Sequence, residues 1–198
     1  MANQKSQLSL EWQLKETMSK KILIITGDGG EGYETWYAIH RFQEADYFPV
    51  IAAPTKKRLH LVMHDFEPGW DTYVERPGYQ AEADIAFEQV KVEDYVAVVL
   101  IGGRSPEYLR NNKLVIDIVR QFDAQKKWIL SICHGIQIAA AAGIVKGKKV
   151  CCYEHVKFEV ESVGGSWLPD NMVRDGNLIS APTWQAHPEF YREIFKCL

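Results

Sequence analysis

The chain has 198 residues, 46% of them hydrophobic, and a formal charge of −3 at pH 7, which suits one globular domain with a substantial core. So weak a charge gives no field for gathering nucleic acid, and the Lys pairs at 20–21, 126–127 and 148–149 are scattered ahead of apolar segments as solvated edges. No signal-peptide stretch occurs in the first twenty residues and no apolar run approaches the roughly 18 residues that span a bilayer, so the sequence predicts a cytoplasmic protein with neither nucleic-acid nor membrane partners.

Residues 1–19 are polar and read as an N-terminal extension to a domain covering 20–198. From Lys21, "ILIITG" is a continuous apolar run ending in glycine, as expected of a strand buried on both faces. Ala38, Phe42 and Ala45 then recur at helical spacing, and "FPVIAAP" reads as a second strand. Residues 55–89 hold short β-like pieces broken by Pro and Gly, which reads as a small β excursion rather than another crossover.

"YVAVVLIGG" is the next buried strand, and Leu114, Ile118 and Phe122 mark an amphipathic helix after it. "KWILSIC" follows as a strand, leading into a helix that Gly143 can end. "KKVCCY" reads as a strand, 155–163 as a short helix, and "MVRDGNLISAPT" as a hairpin turning at Asp175-Gly176. Pro188 suits the first turn of a last helix. Strands alternating with helices specify a doubly wound α/β sandwich with a mainly parallel sheet, whose site lies at the carboxyl ends of the strands near Gly27, Gly102 and Cys133.

"GDGGEG" at 27–32 matches the glycine spacing of a dinucleotide loop, but Asp28, Glu31 and Glu34 would crowd carboxylates against a pyrophosphate, and the second strand ends without an acid for a ribose. The loop reads as a turn that delivers Glu34 to the sheet edge. Cys133 sits between a buried strand and "HGIQ", a sharp junction that aims sulfur at unpaired helix N–H groups and favours thiolate. The four cysteines (Cys133, Cys151, Cys152, Cys197) lack metal-ligand spacing and read as reduced thiols, with Cys151 and Cys152 on opposite faces of one strand. His60 and His64, four apart, would share a strand face and are read as packing or surface residues rather than a metal site.

"SICHG", "IGGRSPEYL" and "GYETWYAIHRFQEADY" together resemble the ThiJ/PfpI superfamily over about residues 20–198. The resemblance implies a three-layer flavodoxin-like sandwich with Cys133 at an elbow, His134 beside it, Glu34 under the sulfur and Glu107 at a subunit contact. It also implies a homo-oligomer. Glu34 and Cys133 could not both ionise cheaply and would share a proton; Glu107, supplied by another copy, would orient His134 and favour its protonated form. Gly103 and His134 are placed to offer N–H groups to an oxyanion, while Arg104 binds an anionic product or is solvated. "CHGIQ" and "QAHPEF" also resemble class I glutamine amidotransferases, an alternative triad of Cys133, His187 and Glu189.

The leading expectation is cofactor-free and metal-free conversion of a small 2-oxoaldehyde, glyoxal or methylglyoxal, to a 2-hydroxy acid by a cysteine nucleophile. Alternatives are a cysteine peptidase or amidase, and a redox-sensing stress protein or holdase.

Overall fold

The computed structural model describes residues 20–198, so the extension at 1–19 lies outside the described residues. The first half runs β1 (Lys21–Ile25), α1 (Gly32–Glu44), β2 (Phe48–Ala53), β3 (Arg58–Asp65), β4 (Val74–Glu82), β5 (Ile85–Ala86), β6 (Tyr95–Leu100) and α2 (Ser105–Leu109). The second runs α3 (Lys113–Ala124), β7 (Trp128–Ile132), α4 (Ile136–Ala141), β8 (Lys149–Val150), α5 (Lys157–Ser162), β9 (Ser166–Trp167), β10 (Val173–Asp175), β11 (Leu178–Ala181) and α6 (His187–Cys197). The main sheet has the order β10-β11-β7-β6-β1-β2-β5 and is parallel throughout except for the β10–β11 hairpin.

This is the expected α/β sandwich, its mainly parallel sheet flanked by helices. The central strands are apolar on both faces because helices cover both: Ile22 to Ile25, Ala97 to Leu100, and Ile129 with Leu130 are all buried. No helix among the described residues is long and apolar enough to cross a membrane.

Four local readings need correction. In α3 the buried stripe is Val115, Ile118, Val119 and Phe122, while Leu114 is 42% exposed. Ile118 and Phe122 are buried as expected; only Leu114 misses, because it stands in the exposed first turn, where the Asn112 side chain caps the helix by accepting from the Leu114 N–H at 2.9 Å. The excursion is a separate antiparallel β3–β4 hairpin, but its last residues do cross over: β5 pairs parallel with β2, and Asp84 accepts from the Ile51 N–H at 2.7 Å.

A register shift between His60 and Val62 inverts the inside-outside alternation of β3, so His60 is exposed and His64 buried instead of sharing a face. "KKVCCY" contributes only Lys149–Val150 as strand, paired with β9 outside the main sheet. Cys151 and Cys152 lie beyond it and are both buried, so strand alternation does not govern them. All four cysteines are free thiols.

Candidate active site

The carboxyl ends of β1, β6 and β7 lie side by side, and three loops leave them together. The loop after β1 and the loop after β6 are laced by backbone bonds: Glu31 N–H donates to Gly102 O at 3.2 Å, and Arg104 N–H to Gly29 O at 2.9 Å. Gly103 has φ +73°, and a Cβ there would lie 2.4 Å from the Glu31 nitrogen, so the lacing requires glycine. Gly102 is equally constrained, because a Cβ would fall 2.7 Å from Glu34 Oε2 and 3.1 Å from Cys133 Sγ. The bare backbone of Gly102 therefore lets the carboxyl and the sulfur approach the same point.

Cys133 follows β7 directly with φ +56°, in a single tight turn, Cys133–Gly135, that leads into α4. A side-chain-bearing residue in that region costs on the order of 1–3 kcal/mol, which the packing of β7 and α4 must offset. The irregular turn brings two sequence neighbours face to face, with Cys133 Sγ 3.2 Å from His134 Nδ1. Glu34 comes from the first turn of α1; its Oε2 accepts from the Gly102 N–H at 2.8 Å, its Oε1 is buried without a hydrogen-bond partner among the described residues, and the carboxyl faces the Cys133 sulfur across the bare backbone of Gly102. Glu31 caps the same helix, its Oε2 accepting from the Glu34 N–H at 2.6 Å.

Burial dominates the electrostatics. It pushes the Glu34 carboxyl well up, and the charge of Glu31 pushes it further, against the Gly102 N–H and the nearby Cys133 thiol. Burial raises Glu31 to about 7, opposed by the N–H groups of Glu34, His64 and Tyr33. The Cys133 thiol is also pushed up, first by burial and then by Glu34, with the N–H groups of His134 and Gly103 pulling the other way. The expectation that the helix junction depresses this thiol is thus overturned. The residue is 5% exposed, so lost hydration and a neighbouring carboxyl outweigh the N–H groups. Two unit charges about 4 Å apart repel by about 4 kcal/mol at an effective dielectric of 20, so carboxyl and thiol ionise one at a time.

Burial lowers the His134 imidazole to about 4, helped by His64 and His155, so it is neutral at pH 7. The expected protonation by Glu107 does not occur within the chain: Glu107 is exposed, and its carboxylate makes no hydrogen bond to His134. Arg104 is half exposed, and its Nε donates to both oxygens of Glu75 at 3.0 and 3.1 Å. Around His134 stand Tyr153, with ring centroids 5.1 Å apart, Tyr73 at 5.6 Å and His64 at 6.2 Å.

The alternative triad is not assembled. His187 is buried on Tyr37, neither of its nitrogens bonds to a described residue, and Glu189 lies beside it on α6 without reaching it. The sequence reading missed Glu31, whose place three residues before Glu34 at a helix start is a cap signal. It also missed Tyr153 and the His64–Glu75 pair, which no local spacing marks. Among the described residues no cluster could hold a metal ion.

A model of the DJ-1/PfpI family matches residues 20–197. The chain is 40% identical over 187 residues to protein DJ-1 homolog D of Arabidopsis thaliana, covering 91% of this chain but 48% of that protein, so it spans about half of that relative. It is 32% identical over 182 residues to deglycase PfpI of Pyrococcus furiosus, covering 90% of this chain and 99% of that protein. The crystal structure of Drosophila melanogaster DJ-1beta superposes with a TM-score of 0.75 at 25% identity, covering 89% of each chain.

Proposed function

Because the chain belongs to the DJ-1/PfpI family, we propose that it is a cysteine-dependent enzyme that converts a small 2-oxoaldehyde, glyoxal or methylglyoxal, to the 2-hydroxy acid. The observation that carries this reading is the Cys133, Glu34 and His134 cluster: a buried carboxyl and a buried thiol meeting at the bare backbone of Gly102, with the sulfur 3.2 Å from a neutral imidazole. The deglycase name of the Pyrococcus furiosus relative supports chemistry on carbonyl adducts.

The steps follow from the groups present. Cys133 passes its proton to Glu34 as sulfur bonds to the aldehyde carbon C1, and the returned proton goes to O1, giving a hemithioacetal. His134, neutral and therefore basic, takes the C1 proton; the electron pair it leaves forms the C1–C2 bond of an enediolate, whose charge lies on O2. The N–H groups of Gly103 and His134 hold the developing charge. His134 returns its proton to C2 and the O1 proton moves to O2, giving a 2-hydroxy thioester, and water cleaves its C–S bond to release the acid and the thiol. C1 is oxidised and C2 reduced, so water is the only co-reactant. Glu107 would act on His134 of another copy in a homo-oligomer.

The test is a panel of glyoxal, methylglyoxal, glutamine and a fluorogenic peptide, run on wild type and Cys133→Ser, with 2-hydroxy acid, ammonia and fluorescence as readouts. Glycolate and lactate formation, reduced to the uncatalysed rate by the substitution, is expected. Cysteine-dependent cleavage of peptide or glutamine without hydroxy acid would overturn the reading.

A further inference from the structure

We propose that the Tyr73 hydroxyl is an additional catalytic donor of this site, hydrogen-bonding to the second oxygen, O2, of a 2-oxoaldehyde bound at Cys133. This rests on the functional reading above and deepens it.

The hairpin places the ring. Tyr73 immediately precedes β4, is half-buried, and meets the His134 ring edge-on at 85°. Its hydroxyl makes no hydrogen bond to any described residue. The comparable phenols are committed: Tyr153 Oη pairs with Thr72 Oγ1 at 3.1 Å, and Tyr108 donates to Asp28 O at 3.0 Å. Of the three phenols compared, Tyr73 is thus the one whose O–H is uncommitted among the described residues.

The ring is also clamped, as a catalytic donor must be. His64 stacks on it with centroids 3.8 Å apart and planes 17° from parallel. His64 Nε2 bonds Glu75 Oε2 at 3.0 Å across the β3–β4 register, and Arg104 grips the same carboxylate. Arg104 follows Gly103, so the clamp is anchored on the loop that offers an oxyanion N–H. Trp184 fixes the other side of His64 by donating to its carbonyl oxygen at 3.1 Å.

Electrostatics keeps the donor protonated. Burial first, then the negative charges of Glu107, Cys133 and Glu75, push the Tyr73 hydroxyl up to about 12. It therefore gives a hydrogen bond without releasing its proton at neutral pH, and it lies within the electrostatic reach of the Cys133 sulfur. As His134 removes the C1 proton and charge moves onto O2, that hydrogen bond strengthens; no covalent bond to Tyr73 forms or breaks.

The test is Tyr73→Phe, which keeps the ring and its stack. With methylglyoxal, kcat should fall roughly 100-fold, the usual cost of one lost oxyanion donor, with KM little changed. A second readout is protection of Cys133 from iodoacetamide by aldehydes, followed by mass analysis of the Cys133 peptide. Methylglyoxal, which carries O2, should protect the variant less well than wild type, whereas propanal, which lacks it, should protect both equally. Wild-type turnover in the variant, or an equal loss of protection by both aldehydes, overturns the proposal alone. A wild-type protein inert toward 2-oxoaldehydes overturns the functional reading, and this proposal with it.

Discussion

His134 and His187 occupy two neighbourhoods that burial treats alike and bonding treats differently. Both imidazoles are nearly sealed, at 5% and 2% exposure, and burial lowers both to about 4. His134 lies 3.2 Å from a sulfur that has a buried carboxyl beside it. His187 stacks on Tyr37 at 4.2 Å, with neither nitrogen bonded to a described residue. Desolvation alone therefore fixes which form of a histidine is present; chemistry requires a neighbour that can exchange a proton with it.

The largest break in this comparison comes from making the first neighbourhood resemble the second. Glu34→Gln keeps a carbonyl oxygen to accept from Gly102 but removes the exchangeable proton. Turnover of 2-oxoaldehyde should fall about 100-fold, within the usual span for a lost acid–base group. The charge that lifts the Cys133 thiol would also vanish, so thiolate absorbance near 240 nm should appear at lower pH than in wild type. An unmoved titration would mean that the two groups do not share a proton.

A smaller break follows from Glu31→Gln, which preserves the cap on α1 while deleting the outer acid. Glu31 is raised from 4.5 to about 7, so its contribution to stability is complete below pH 4.5 and disappears as pH rises through 7. Thermal unfolding midpoints should therefore coincide near pH 5 and favour the variant near pH 8. Activity should change only severalfold, because Glu31 reaches the sulfur through Glu34. Equal pH slopes in the two proteins would show that Glu31 is already ionised in the native state at neutral pH.

Much of the first neighbourhood was legible from the sequence because its parts are local. Continuous apolar runs closed by glycine marked β1, β6 and β7, and the order of those runs placed Gly102, Cys133 and the start of α1 at one sheet edge. "CHG" at a strand end and the family resemblance singled out Cys133, His134 and Glu34. Less local features were hidden. The first turn of α3, capped by Asn112, leaves Leu114 exposed, and one irregular register step in β3 decides that His64, not His60, turns inward. That step also carries Tyr73 and Glu75 to the site, through contacts no spacing announces. The direction of the thiol shift was hidden for the same reason, since it depends on how completely distant strands exclude water from the sulfur.

The smallest effect on turnover belongs to His187→Leu, and it sharpens the comparison through stability instead. Leucine nearly matches the volume of the imidazole, so stability at pH 7 should stay within about 1.5 kcal/mol of wild type, and hydroxy-acid formation should be unchanged. Acidification separates the two proteins. The folded imidazole takes its proton near 4, whereas the unfolded one takes it near 6.5, so this histidine's share of stability is whole above pH 6.5 and drains away as pH falls toward 4. Two units of pH below 6.5 correspond to roughly 2.7 kcal/mol. His134, Glu31 and Glu34 titrate in both proteins and largely cancel from the difference. Urea unfolding should then show the variant gaining on wild type by about 2 kcal/mol between pH 7 and pH 4.5. A constant difference across that range would mean that His187 finds a bonding partner, and the two neighbourhoods would no longer differ as the structure has them.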